Sequence, residues 1–411
     1  MKSAHFTQHC VDCSREFNQN LHLIRCNCGG LINFEYHNDS LWAPSKKQKG
    51  LIRYWPQLPI INKSQIIQPS NSRYPTRLYK SKKLGNFLGI RNLWLKNETE
   101  NFTRTFKARD ALVSLSRFQE IGLVEFAMCS TGNTAAAFSH AMRFTKKPMT
   151  IHMFFPKWTV IDLEPRTRGT TTVTIVNGDY DLTIRTAYDF CARNGLAFEG
   201  GFANPSRIEG SKTIAYEIAE TDLEPDWYVQ SVTSGTGVYA LRKGYRELQE
   251  MGVVRSSPRI LCVQPEGCAP MVHAFRKGKE KLDSEDKPNN PATFATTLSN
   301  TNPAFSYPYV RKAVLDFAGT FEDVSEAETA RAFLLLFKLE KLLVDPASAV
   351  ALAGIIKTIS EGTIDREETI LLNVSGGIRK EEPSEYGRNS LAKKKLSTRL
   401  TSQPSFSHVK L

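Results

Sequence analysis

The chain has no apolar run approaching the roughly 20 residues a membrane span needs, so no membrane partner is expected. Its start, Met1-Lys2-Ser3-Ala4-His5, lacks the hydrophobic stretch of a secretory leader, and a cytoplasmic location is the expectation. Cysteine is too sparse for a disulfide scaffold, with eight residues in 411, and a chain of this length can bury its own core. No internal repeat is present, which argues against solenoids and propellers. Acidic residues are the minority, 42 against 54 Lys and Arg, for a formal charge of +12. The excess is scattered into small clusters such as Lys46-Lys47, Lys82-Lys83 and Lys393-Lys394-Lys395. None interleaves with aromatics along one face, so a nucleic-acid partner is not expected. A basic surface that attracts small phosphorylated anions explains the balance as well as solubility does.

The bulk of the sequence is that of an ordinary globular protein, 41% hydrophobic and 23% charged. Four of the cysteines crowd the N-terminus as Cys10-x-x-Cys13 and Cys26-Asn27-Cys28, with twelve residues between the pairs. That is near zinc-ribbon spacing, although Cys-x-Cys is tighter than the usual gap. A structural zinc on Cys10, Cys13, Cys26 and Cys28, and four reduced thiols in a short hairpin, both stay open. Cys129, Cys191, Cys262 and Cys268 read as buried small apolar residues.

From Leu93 onward short apolar strands alternate with amphipathic helices, which predicts an α/β fold with a parallel sheet. Strands are expected at 93–95, 124–129, 149–155, 172–176, 227–232, 259–263, 321–324 and 368–374. Helices are expected at 106–121, 133–144, from the glycine loop through 248, 326–341 and 348–360. Ser325 and Glu328 form a capping-box pattern for the fourth of these. The polar stretch 280–308 is expected to be a long loop at the mouth of a site. Residues 1–40 form the cysteine knuckle, and the basic, Ser-rich 381–411 is expected to be a disordered tail.

Four segments carry chemistry. Lys107 lies in Asn97-Glu98-Thr99-Glu100-Asn101-Phe102-Thr103-Arg104-Thr105-Phe106-Lys107-Ala108-Arg109, where an amine in an apolar, hydroxyl-flanked turn before a helix can lose its proton and attack a carbonyl. Ser130-Thr131-Gly132-Asn133-Thr134 opens an Ala-rich helix, so its amides favour a carboxylate, although Ser and Thr there also serve as ordinary caps. Ser234-Gly235-Thr236-Gly237 follows an apolar strand and offers backbone donors to a phosphate. Ser375-Gly376-Gly377 ends the last strand.

In this order the four resemble the pyridoxal-phosphate enzymes of fold type II, and most nearly threonine synthase and cysteate synthase. The run to Lys107 is similar to that group's Asn-Pro-Thr-x-Ser-Phe-Lys, with Phe102 in place of proline and Thr105 in place of serine. Arg73-Tyr74-Pro75-Thr76-Arg77-Leu78, the run from Asn204 to Thr213 and Asp345-Pro346-Ala347-Ser348-Ala349 extend the likeness. The resemblance implies two three-layer α/β/α domains within residues 41–380, the smaller about 105–210, with the cofactor between them. It implies pyridoxal 5'-phosphate bound as an imine by Lys107, which later moves the substrate's α proton. Asn133, Ser234, Gly235, Thr236, Gly237 and Ser375 would contact the cofactor; Ser130, Thr131, Gly132, Thr134, Arg207 and Lys212 would contact a phosphorylated amino acid. Surface salt bridges are the competing expectation for Arg207 and Lys212. Elimination of phosphate from O-phosphoserine, with a nucleophile such as sulfite, is the first expectation, since the glycine loop departs from that of threonine synthases. O-phosphohomoserine and water, giving threonine, is the direct alternative, and a non-catalytic binding protein of this fold ranks below both. A homodimer is expected by analogy.

Overall fold

The computed structural model describes residues 5–37, 42, 44, 47–70, 72–159, 161–164, 167–288 and 291–379, and the backbone of 406–410. The N-terminal knuckle is an antiparallel sheet of β1 (Phe6–Cys10), β2 (Glu16–Phe17) and β3 (Ile32–Tyr36), in the order β2-β1-β3. It docks on the body through specific bonds. The Tyr309 hydroxyl donates to Asp12 at 2.6 Å and accepts from the Leu31 amide at 3.0 Å, and the Tyr36 hydroxyl donates to Glu209 at 2.5 Å.

Two sheets form the body. The larger contains β4 (Leu78–Lys80), β5 (Asn92–Asn97), β10 (Trp227–Ser231), β11 (Arg259–Pro265), β12 (Thr320–Val324) and β13 (Thr369–Val374). Its order is β12-β11-β10-β13-β5-β4, parallel except for β4. The smaller contains β6 (Glu125–Cys129), β7 (Thr150–Pro156), β8 (Thr170–Val176), β9 (Ala197–Phe198) and β14 (Phe406–Lys410). Its order is β14-β8-β7-β6-β9, parallel except for β14. Within the segment expected as a tail, Phe406–Lys410 form an edge strand; residues 380–405 and 411 lie outside the described residues.

Period-2 alternation divides the strands between cores, as a sheet covered on both faces requires. In the larger sheet Trp227, Val229, Leu261, Val263, Ile370 and Leu372 face one core, and Tyr228, Ile260, Cys262 and Leu371 face the other. The helices are α1 (Lys82–Leu88), α2 (Lys107–Glu120), α3 (Asn133–Ala141), α4 (Tyr180–Asn194) and α5 (Pro205–Ala219). They continue with α6 (Thr236–Glu250), α7 (Pro270–Arg276), α8 (Tyr307–Asp316), α9 (Glu326–Glu340) and α10 (Pro346–Ser360). Helix α10 lies on the larger sheet with α9 outside it, and α4 covers β6 and β7. The capping box of α9 forms as expected, with Ser325 and Glu328 each bonding the other's amide.

Helix α5, which sequence periodicity did not reveal, packs against α2 on one side and α6 on the other. Two glycines make the approach this close. A Cβ on Gly210 would stand 2.3 Å from the Arg109 carbonyl, and one on Gly244 would stand 2.9 Å from the Lys212 carbonyl. The helix is buried from Pro205 through Ile218, so it lacks the polar stripe that marks a surface helix.

Candidate active site

In open parallel sheets ligands bind beyond the carboxyl ends of the strands. The loops after β5, β10 and β13 leave one such edge, and the loop after β6 leaves that of the second sheet.

Lys107 is placed by three features of its loop. The turn of residues 98–100 follows β5, then Arg104 takes a left-handed conformation with φ 55°, uncommon without glycine. The chain then pairs with the end of β13: Thr105 bridges Gly376, and the Phe106 amide donates to the Ser375 carbonyl at 3.0 Å. Lys107 therefore begins α2 beside the strand-end serine. Its Nζ lies 3.1 Å from Asp110 Oδ2, one turn along the helix, and 4.3 Å from the centre of the Phe106 ring. Burial pulls the amine below the usual lysine range; Asp110 opposes this and the nearby charge of Arg207 adds to it.

The loop after β6 is held by its own first residue. The Ser130 hydroxyl accepts from the Gly132 and Ala135 amides, both at 3.0 Å, which braces the entry to α3 through its oxygen while its O–H is still a donor. Gly132, at φ 133°, turns the chain into α3, leaving Thr131 and Thr134 half-buried. Asn133 donates to Asp345 Oδ2 at 3.0 Å and accepts from Arg379 Nη1 at 2.7 Å. Asp345 Oδ1 takes the Thr297 hydroxyl at 3.1 Å, and the Thr131 hydroxyl donates to the Thr297 carbonyl at 3.4 Å. The polar stretch 280–308 does reach this loop.

Ser234, Gly235, Thr236 and Gly237 form the turn from β10 into α6, with Gly235 left-handed at φ 75°. The first amides of a helix have no intrahelical acceptor, and here two hydroxyls, Ser234 and Thr236 at 3.4 Å from each other, flank them. That donor set fits a phosphate. Ser375 is 6% exposed, its hydroxyl 3.4 Å from that of Ser348, which in turn donates to the Gly376 carbonyl. It offers a neutral group where a ring nitrogen would need one. Gly376 also accepts from the Asp345 amide at 2.9 Å, joining the strand-end serine to the Asn133 loop. Lys107, Asn133, Ser375 and the glycine turn thus fit pyridoxal phosphate.

Two expected substrate residues are placed otherwise. Arg207 is buried and held by Glu199 through both carboxylate oxygens. Burial works against its charge, but Glu199 more than compensates. Lys212 is fully buried, paired with Glu209 and with Glu247 at 2.9 Å, beneath the ring of Tyr36. Each cation is already neutralised by a carboxylate, so neither presents a free charge; these ion pairs are buried, where the competing expectation was surface pairs. The cause is α5 itself, which turns both side chains into helix contacts.

Arg104, Asp110, Thr297 and Arg379 were not singled out as site residues from the sequence, whereas Asp345 opens a run whose resemblance implied that it lines the cofactor. Asp110 had a usable signal, lying three positions after Lys107 on a helix; Arg379 had none. Arg104 Nε is buried with no hydrogen-bond partner among the described residues. Close by in the chain, a pocket of about 70 Å³ is lined by Ser72, Arg73, Tyr74, Asn101 and Phe102, among others. Ser72 Oγ, Tyr74 OH and Asn101 Oδ1 are likewise buried without a partner there.

The four N-terminal thiols converge. All four Sγ lie within 4.8 Å of one another, with Cys10–Cys28 and Cys13–Cys28 at 3.5 Å and Cys13–Cys26 at 3.6 Å. A tetrahedron with zinc–sulfur bonds of ~2.3 Å has edges of about 3.8 Å, so this spacing suits an ion and is far from a disulfide.

The fold is that of solved pyridoxal-phosphate enzymes. Maize serine racemase matches with a TM-score of 0.62 at 18% identity, over 77% of this chain and 92% of that one. The threonine deaminase of Solanum lycopersicum, isoform 2 in its processed form, matches with a TM-score of 0.59 at 18% identity, over 80% and 89%. The family model described as pyridoxal-phosphate dependent enzyme matches residues 70–376, and the chain belongs to that family. Among curated relatives it is similar to the threonine synthase of Methanocaldococcus jannaschii, 30% identical over 90% of this chain and 91% of that protein. The cysteate synthase of Methanosarcina acetivorans is 29% identical over 90% and 92%. No helix among the described residues is long and apolar enough to cross a membrane.

Proposed function

We propose that this enzyme releases phosphate from an O-phosphorylated amino acid, with Lys107 as the residue that bonds pyridoxal phosphate. The observation that supports this is the junction of the Lys107 loop with the end of β13, which brings the lysine-bearing turn beside the neutral Ser375. The bound cofactor supplies a ring that draws electrons from the substrate's α carbon. Lys107 takes the α proton. Ser234, Gly235, Thr236 and Gly237 hold the cofactor phosphate, and Asn133 meets the ring hydroxyl. Thr131, Gly132 and Thr134 face the substrate carboxylate. Ser375 cannot keep a ring nitrogen charged as a carboxylate would, which suits elimination across the α and β carbons.

With Arg207 and Lys212 engaged, Arg104 and pocket-lining Arg73 are the cations we assign to the substrate phosphate. O-phosphoserine with a nucleophile such as sulfite is the first substrate, favoured by the composition of the glycine turn. O-phosphohomoserine with water is the second, since a threonine synthase and a cysteate synthase are similar to the chain at near-equal identity, 30% and 29%. Protein mixed with the cofactor should gain a visible absorption band that Lys107→Ala lacks, and phosphate release from the two esters decides between the substrates. Absence of the band would sink the assignment of Lys107; a band with neither ester cleaved would sink the leaving group alone.

The knuckle belongs to the same proposal as a structural zinc site on Cys10, Cys13, Cys26 and Cys28. Metal analysis should give one zinc per chain, and a strong chelator should release the N-terminal strands to proteolysis. A metal-free protein with the same proteolytic pattern would exclude it. A homodimer in the cytoplasm completes the proposal, and light scattering tests the stoichiometry.

A further inference from the structure

Behind Lys107 stands a carboxylate that no step so far employs. Asp110 has no exposed side-chain surface, and its Oδ2 lies 3.1 Å from Lys107 Nζ. Its other oxygen accepts the Ser211 hydroxyl from α5. That contact depends on the approach at Gly210, where a Cβ would meet the Asp110 Cα at 3.0 Å and the Arg109 carbonyl closer still. One turn before Ser211, Arg207 faces both Lys107 and Asp110, its own charge taken up by Glu199 from the segment ahead of α5. The buried phenol of Tyr74 also lies within range of the Asp110 charge. The two cations and two carboxylates balance in pairs: Glu199 with Arg207, Asp110 with Lys107.

Of these four, Lys107 alone changes charge in the proposed reaction. When the amine is released from the cofactor it is neutral, and Asp110 is then a buried carboxylate without a counter-charge. A proton arriving on Nζ restores the pair, so the carboxylate makes the free amine a stronger base. We infer that Asp110 is the positioning residue of this site, aiming Nζ and raising its affinity for the proton taken from the substrate. The step is a single proton transfer: the α C–H bond breaks, an N–H bond forms on Lys107, and the electron pair stays with the substrate. Asp110 gains no proton; it supplies the field in which the transfer is favourable. Ser211 holds the carboxylate in place.

The inference rests on the assigned role of Lys107, but its first test needs no cofactor. In the cofactor-free chain, acetylation of Lys107 followed across pH by peptide mass spectrometry gives the midpoint at which the amine becomes reactive. Asp110→Asn keeps the shape and the bond to Ser211 but removes the charge, and should lower that midpoint by about one pH unit or more. Asp110→Glu should return most of the shift. Should the Asn chain fail to fold, Asp110→Ser reads the same displacement. In the holoenzyme Asp110→Asn should move the acid limb of kcat to lower pH and reduce its plateau about tenfold, with KM unchanged. A midpoint that stays within about 0.3 units of the native one, or a kcat profile that does not move, overturns the inference. A shifted midpoint in a protein that never gains the visible band would instead overturn the cofactor assignment and leave the Asp110–Lys107 pair standing.

Discussion

Lys107 and Arg109 stand two positions apart on α2, so about 200° of rotation separates their side chains, and each meets a different set of carboxylates. Arg109 has no exposed surface and is saturated: Glu98 accepts from Nε and Nη2 at 2.8 Å, Glu217 from Nη1 at 2.6 Å and Nη2 at 2.8 Å, and Thr213 from Nη1 at 2.9 Å. Lys96 donates to Glu217 at 2.6 Å and completes a balanced set of two cations and two anions. Lys107, by contrast, has one carboxylate bond and 17% of its side chain open. A cluster in which every donor and acceptor is engaged ties β5, α2 and α5 together and has nothing to exchange. One that keeps a donor partly open can do chemistry. Burial is common to both; saturation distinguishes them.

The largest test of that contrast is to open each cluster. Arg109→Met leaves Glu98 and Glu217 buried with only Lys96 to balance them, and should cost about 3–5 kcal/mol in denaturant unfolding. Lys107→Ala should cost about 1 kcal/mol, within the range of an ordinary substitution, while abolishing turnover. Equal losses of stability would erase the distinction. A smaller effect follows from acid. Burial tends to raise the Glu98 carboxyl, but Arg109 and Lys96 overcome this and hold it at about 2. Its folded value is thus depressed below the unfolded one, so its contribution to stability is complete above about pH 4.5 and is lost as pH falls through about 2. Urea midpoints across that interval should decline, and Arg109→Met should flatten the decline by removing the cation that depresses Glu98.

Much of the fold was legible from the residues. The strands at 227–231, 259–265 and 369–374 carry apolar runs that only a sheet covered on both faces accommodates, and Ser325 with Glu328 marked the start of α9 correctly. Helices α4 and α5 were not anticipated, α5 because it is buried on nearly every side and shows no amphipathic period. The same burial defeated the assignment of Arg207 and Lys212. Their motif spacing was visible, but their partners Glu199, Glu209 and Glu247 lie on surfaces that only packing brings together. Ser130 lies in the expected loop and braces it by accepting from two amides within five residues of chain.

Local chemistry therefore nominated Lys107, the glycine turn, the terminal serine and the four thiols, since each depends on residue types at short spacing. The partners of Lys107 were decided by tertiary structure. Ser375 stands next to its loop because Thr105 and Phe106 pair with the end of β13, and Ser211 reaches Asp110 because Gly210 lets α5 close on α2. A side chain's identity can be read in one dimension, but the charge opposite it depends on which elements share a core.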